Sequence, residues 1–217
     1  MMLTRRHVAK ILGATAFAGT SGLDAVFAPA QAADPSAADL AAAGPLGDVW
    51  LGSPDAKCTI IEYASMTCSH CAAFHAETWP KLKSTYIDTG KVRFTLREFP
   101  LDPLASAGFM LARCAGNDKY MAMTDLLFDK QSDWAFVKKP LEALASLTKQ
   151  AGFTQKSFED CLKNQEIRAG VESVRSRAEK LLGVDATPTF FINGKKYDGE
   201  MSFEAMDKII APIVNAA

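Results

Sequence analysis

The four residues Cys68-Ser69-His70-Cys71 stand where a short apolar run hands over to a helical one, and that junction constrains the chain more than any other feature. The run at 57–64 reads Lys-Cys-Thr-Ile-Ile-Glu-Tyr-Ala, which is too short and too β-branched for a helix and predicts a buried strand. Helical spacing follows over 68–88, with Pro80 expected to kink it and Gly90 just past its end. The first N–H groups of a helix lack intrahelical partners and the macrodipole is positive there, so a thiolate at Cys68 is favoured. Cys71, one turn further in, is the more sheltered sulfur. Two such thiols can close a short disulfide, pass it on when a partner thiolate attacks Cys68, and resolve stalled mixed disulfides through Cys71.

His70 lies between the sulfurs, where a donor imidazole would further favour the Cys68 thiolate and make the disulfide a stronger oxidant. His75 shares a helix face with Cys71 but reads as a solvated or packed histidine. Glu62 falls inside the apolar run, so burial is favoured over a solvated place on an edge strand.

Elsewhere, residues 49–51 predict a very short edge strand, and 92–99 alternate apolar and polar side chains at strand period before Pro100 closes the run. From 103 to 182 the spacing is helical almost throughout, in segments at 104–115, 119–128, 140–151, 154–164 and 167–182. Strand character returns at 189–192, Asn193-Gly194 is a two-residue hairpin turn, 195–198 returns, and Ser202 caps a last helix. This order describes an α/β core interrupted by an all-helical block.

The N-terminus carries Arg5, Arg6 and Lys10, then a weakly apolar stretch at 11–17 and small residues at Ala28, Ala30 and Ala32, the pattern of a bacterial secretory signal over 1–32. Thr4-Arg5-Arg6 fits the start of a twin-arginine signal, while Val8 and Ala9 leave the general export route open. Gly13, Thr15, Gly19 and Asp24 interrupt the apolar run short of the ~20 residues a membrane span needs. Export to the periplasm would put the cysteines in an oxidising compartment. Residues 33–47, rich in alanine, read as a flexible leader, with the folded domain beginning near Asp48.

A formal net charge of -1 leaves no basic excess with which to bind nucleic acid. A c-type haem needs His directly after the second cysteine, where Ala72 stands, and no second ligand pair completes a zinc site. No metal and no organic cofactor is therefore expected. Capture of a soft metal by Cys68, Cys71, His70 and His75, or holding of unfolded chains without redox turnover, is the rival from a different class.

With the dithiol after a strand, Thr187-Pro188 before the next strand, and Glu62 ahead of Cys68, the chain from about Asp48 to Val214 resembles the DsbA family of bacterial thiol:disulfide oxidoreductases. The resemblance implies a thioredoxin-like fold with an inserted all-helical domain: 48–102 and 183–217 would form the thioredoxin-like domain and 103–182 the helical insertion. It implies a cis Thr187-Pro188 bond facing the dithiol, Thr187 pairing with an extended substrate segment, and Glu62 buried beneath the dithiol to move protons to or from Cys71. The activity implied is donation of the Cys68–Cys71 disulfide to reduced or unfolded exported proteins, with a quinone-linked membrane oxidase restoring it. The alternative is a reductase or isomerase using the same dithiol and a membrane electron donor. Ser69 stands where DsbA itself has Pro, and Thr before the proline is common among isomerases and reductases, so the strength of the oxidant is open.

Three of the five cysteines lie outside the pair. Some DsbA relatives carry a second, structural disulfide in the helical domain, and a Cys114–Cys161 bond is favoured over two buried free thiols. In the chain-entropy picture it would constrain the unfolded chain by about 4 kcal/mol. Cys58 is left as a buried free thiol.

Overall fold

A computed structural model describes residues 35–216, so the secretory signal read at 1–32 lies outside the described residues. They fall within one unit, Ala32–Ala217. Strands β1 (Trp50–Leu51), β2 (Cys58–Ala64) and β3 (Val92–Glu98) belong to a five-stranded sheet with β4 (Thr189–Ile192) and β5 (Lys195–Asp198), in the order β1-β3-β2-β4-β5. β2 and β3 form its centre and pair in parallel, from Cys58 opposite Val92 to Ala64 opposite Glu98. The other pairings are antiparallel. Along β2, Cys58, Ile60 and Ala64 join one apolar layer with Phe74, Leu82 and Phe190, while Ile61 and Tyr63 join another with Val174, Leu182 and Phe191. By the same alternation Glu62 belongs to the first face.

Parallel strands need a crossover. Helix α2 (Ser69–Glu77), helix α3 (Trp79–Leu82) and a π-helical turn at Lys83–Ile87 form it, once α1 (Ala37–Ala41) is counted first in the chain. The kink expected at Pro80 is a break: Thr78 ends α2 and begins α3. Proline at this position has no N–H for the carbonyl of Ala76, and its ring crowds that carbonyl. At the β4–β5 hairpin, Asn193 and Gly194 both take positive φ, 45° and 89°, as a two-residue hairpin turn requires.

Between β3 and β4 come α4 (Pro103–Cys114), α5 (Tyr120–Asp129), α6 (Gln131–Trp134), α7 (Pro140–Thr148), α8 (Gln155–Lys163) and α9 (Gln165–Leu181), and α10 (Phe203–Asn215) follows the hairpin with Ser202 as its N-cap. Helix α6 is not visible as a period because it has only four residues. It is set by the fully buried Trp134, whose indole N–H donates to the Leu127 carbonyl at 2.9 Å. Among the described residues no helix is long and apolar enough to cross a membrane.

The flexible leader read at 33–47 needs correction. Ser36 caps α1, Leu40 is buried against the face of the sheet that carries Ile61 and Phe191, and Leu46 packs on Gly170 of α9. Alanine-rich composition hides these anchors, since two leucines supply the contacts. Arg113 of α4 ties the same segment down, donating to the Gly47 carbonyl at 3.0 Å while pairing with Glu98 at the end of β3. The Tyr120 hydroxyl donates to the same carboxylate at 3.2 Å. Arg97 donates to both oxygens of Asp48, at 2.9 and 2.7 Å, and to the Tyr63 hydroxyl at 2.9 Å.

Breaking a buried pair by removing one partner leaves an uncompensated charge, at a cost of about 3–5 kcal/mol. Arg113→Met should lose stability on that scale in urea unfolding, and adding Glu98→Gln should recover part of it; an unchanged midpoint for Arg113→Met would contradict the role given to this pair.

Candidate active site

Cys68 is the N-cap of α2 and no side chain caps that end, so the first N–H groups of the helix are directed at the sulfur. The loop before it is held from several sides. Gln131 of α6 donates to the Met66 and Cys68 carbonyls, both at 2.9 Å, and Ser65 Oγ accepts from Leu101 N–H at 3.2 Å. Thr67 donates to Asp102, which also caps α4.

The structure holds both site cysteines as thiols, and their surroundings differ. Cys68 is half-buried, Cys71 fully buried. The Cys71 thiol, helped by the Thr187 side chain and the backbone N–H groups of Cys71 and His70, draws the Cys68 pKa down to about 5 against the opposing effect of burial. Burial, the hydrogen bond to Cys68 and the charge of Glu62 push Cys71 well above the ordinary thiol range. The nucleophile and the reserve proton are thereby divided between the two sulfurs.

Opposite them, Thr187-Pro188 is cis and Pro188 is buried. As a thiol, Cys68 donates to the Thr187 carbonyl at 3.3 Å. An open cleft of about 690 Å³ runs along this wall, lined by His70, Lys81, Thr187, Glu200 and Phe203 among others. The His70 ring is turned to Glu200, with Nδ1 3.2 Å from Oε2 and a side chain 72% exposed. The backbone N–H of His70 helps support the Cys68 thiolate. Ser69 is exposed in the first turn of α2.

Glu62 is fully buried, and its Oε2 lies 3.1 Å from Nε2 of His75. His75, read from sequence as a solvated or packed residue, is packed, but it is also the counter-charge of a buried acid. Its ring stacks on Phe128 with centroids 4.3 Å apart. Burial pulls its pKa down, yet the charges of Glu62 and Asp125 outweigh this and raise it to about 9. The signal lay in the pattern: an acid inside a buried strand requires a partner, and His75 shares a face with Cys71, which follows that strand.

The remaining cysteines divide cleanly. Cys114 of α4 and Cys161 of α8 form a disulfide with Cα atoms 6.1 Å apart, and burial raises the Cys58 thiol to about 11. Among the described residues no group of three or more His, Cys, Asp or Glu side chains is arranged to hold a metal ion.

The family described as Thioredoxin matches residues 46–211. A Rickettsia bellii (strain RML369-C) protein, named provisionally as a protein-disulfide oxidoreductase, is 33% identical over 170 residues, covering 75% of this chain and 64% of the relative. The chain thus spans less than two thirds of that relative's length. Disulfide bond formation protein D of Bacillus subtilis (strain 168) is 26% identical over 160 residues, 69% of each chain. Among solved structures, Wolbachia pipientis alpha-DsbA1 is 30% identical, with a TM-score of 0.76 over 82% of this chain and 96% of that one. Oxidised BdbD of Bacillus subtilis, at 20% identity, shares the fold, with a TM-score of 0.69 over 84% of this chain and 97% of its own.

Alkylation of the reduced protein, mapped by peptide across pH, should follow a single thiolate at Cys68 with an apparent pKa near 5, while Cys71 stays unmodified. A Cys68 profile centred near an ordinary thiol value would contradict the site electrostatics.

Proposed function

The chain belongs to the DsbA family of the thioredoxin fold, and from there we propose that it is a thiol:disulfide oxidoreductase that donates its Cys68–Cys71 disulfide to reduced or unfolded exported proteins. One observation carries the reading: a half-exposed thiol with a strongly lowered pKa beside a buried one with a raised pKa. A substrate thiolate attacks Cys68 Sγ, the Cys68–Cys71 bond breaks, and Cys71 leaves with the electron pair and takes up a proton. The second substrate thiolate then attacks the substrate sulfur of the mixed disulfide, forming the substrate's own disulfide and releasing Cys68 as a thiolate. Because that thiolate is stabilised, the reduced form is favoured and the disulfide is an oxidising one.

Within this reading, Thr187 and Pro188 form the wall against which an extended substrate segment lies. Glu62 serves proton transfer at Cys71, and His70 and Ser69 shape the entrance. The sheet-bearing parts, 48–102 and 183–217, carry the dithiol, and the helical insertion, 103–182, supports it through Gln131. The signal-like pattern at 1–32 and the Cys114–Cys161 disulfide support a periplasmic site of action. Return to the disulfide form would fall to a quinone-linked membrane oxidase.

Cys68→Ser should abolish disulfide transfer to a reduced protein substrate, and Cys71→Ser should accumulate a mixed disulfide through Cys68; full activity in Cys68→Ser would defeat the proposal. The lowered Cys68 pKa adds stability to the reduced form that is complete above the ordinary value of 9.0, declines as pH falls, and is gone below about 5. The Tm advantage of the reduced over the oxidised protein should therefore shrink as pH falls from 9.0 toward about 5.

A further inference from the structure

The buried pair Glu62–His75 extends beyond the dithiol to the surface. Nδ1 of His75, on the far side of the ring from Glu62, is buried without a hydrogen-bond partner and lies 3.6 Å from Oδ1 of Asp125, whose side chain is 42% exposed. Both residues line an open cavity of about 310 Å³, with Trp79, Pro80, Lys83 and Asp129. On the inner side, Oε1 of Glu62 is likewise buried and unpartnered, on the face of β2 whose apolar layer also buries Cys71, and the charge of Glu62 helps raise the Cys71 pKa. Three groups from β2, α2 and α5 thus follow one another from the layer that buries Cys71 to a half-exposed carboxylate. A histidine needed only for packing against Phe128 and Trp79 would not require an acid at each ring nitrogen.

We propose that His75 and Asp125 complete a proton relay, Cys71–Glu62–His75–Asp125, through which the buried thiol exchanges its proton with solvent during thiol–disulfide exchange. The proposal rests on the dithiol activity argued above. When the reduced protein is reoxidised, the Cys68 thiolate attacks the oxidant's disulfide and expels one of its thiolates. The Cys71 S–H proton then passes to the Glu62 carboxylate, His75 in its imidazolium form releases its Nδ1 proton by way of Asp125 to water, and the Cys71 thiolate attacks Cys68 Sγ to expel the second thiolate. The pair moves from carboxylate–imidazolium to carboxyl–imidazole, so its buried net charge stays at zero in both states. On donation of the disulfide, the departing Cys71 thiolate takes the Glu62 proton, and His75 regains one at Nδ1 from water.

The groups that face His75 are Cys71 on its own helix, Glu62 of β2, Asp125 and Asp129 of α5, and Lys83 of the π-helical turn. Glu62 and Asp125 both favour its cationic form, which loads the relay at neutral pH. The gap of 3.6 Å at Asp125 is longer than a hydrogen bond and closes by a small movement of that half-exposed side chain or through one water.

The test is single-turnover oxidation of the reduced full chain by oxidised glutathione, following decay of the Cys68–glutathione mixed disulfide across pH. His75→Gln should slow this decay about a hundredfold at neutral pH, the scale of a lost general base, and make its rate rise in proportion to hydroxide. Asp125→Asn, at a half-exposed position, should slow it less, and His75→Ala should be accelerated by added imidazole entering the cavity. The rate of the first step, attack by Cys68, should be unchanged in all three. Decay in His75→Gln and Asp125→Asn with the wild-type rate and pH profile would overturn the relay while leaving the dithiol activity intact. Failure of the wild-type protein to form the mixed disulfide at all would instead overturn the activity on which the relay rests.

Discussion

Parallel pairing of β2 with β3 is the constraint from which the site follows. Two parallel neighbours cannot be joined by a hairpin, so the chain must leave the end of β2, cross a face of the sheet and return. The first element of that crossover is α2, and its N-terminus is fixed where the central strand β2 ends. A sulfur at this point meets unpaired N–H groups on one side and the Thr187-Pro188 loop on the other. The sulfur one turn later is carried under the helix into the layer that holds Ile60, Ala64 and Phe74. One piece of topology therefore produces two thiols of opposite character, and the proposed chemistry uses that difference.

Among the described residues three ion pairs are buried around this centre, and they do different things. Arg97–Asp48 and Arg113–Glu98 are closed on all sides and join the sheet to the segment before β1 and to the helices after β3. Such pairs hold a geometry more than they add net stability, because desolvation offsets much of their attraction. Glu62–His75 is different in kind. Glu62 lies on the sheet face whose apolar layer also buries Cys71, and His75 faces the half-exposed carboxylate of Asp125, so the same buried charges that anchor α2 to β2 also form the inner part of the proposed relay.

Much of this was legible in the sequence because it depends on local chemistry. The buried strand, the dithiol at its handover to a helix, the Asn193-Gly194 turn and the Ser202 cap each follow from neighbouring residues, and the structure has them where the residues put them. The resemblance brought in Thr187-Pro188, which spacing alone would not have turned toward Cys68. What stayed hidden depends on distant partners. A four-residue helix at Gln131–Trp134 has no period to read, yet its glutamine holds the loop before Cys68. The segment at 37–47 looks featureless until Val174 and Gly170 are brought against it. His70 drew attention by lying between the cysteines, although its ring turns to Glu200, while His75 escaped it because Asp125 is fifty residues away.

Whether the lowered pKa of Cys68 makes the disulfide an oxidant is read from the redox equilibrium of the Cys68–Cys71 couple in glutathione buffers. A potential well above the about −270 mV of thioredoxin is expected, since a stabilised thiolate favours the reduced form. A couple as reducing as thioredoxin would contradict it and leave the dithiol to a reductase.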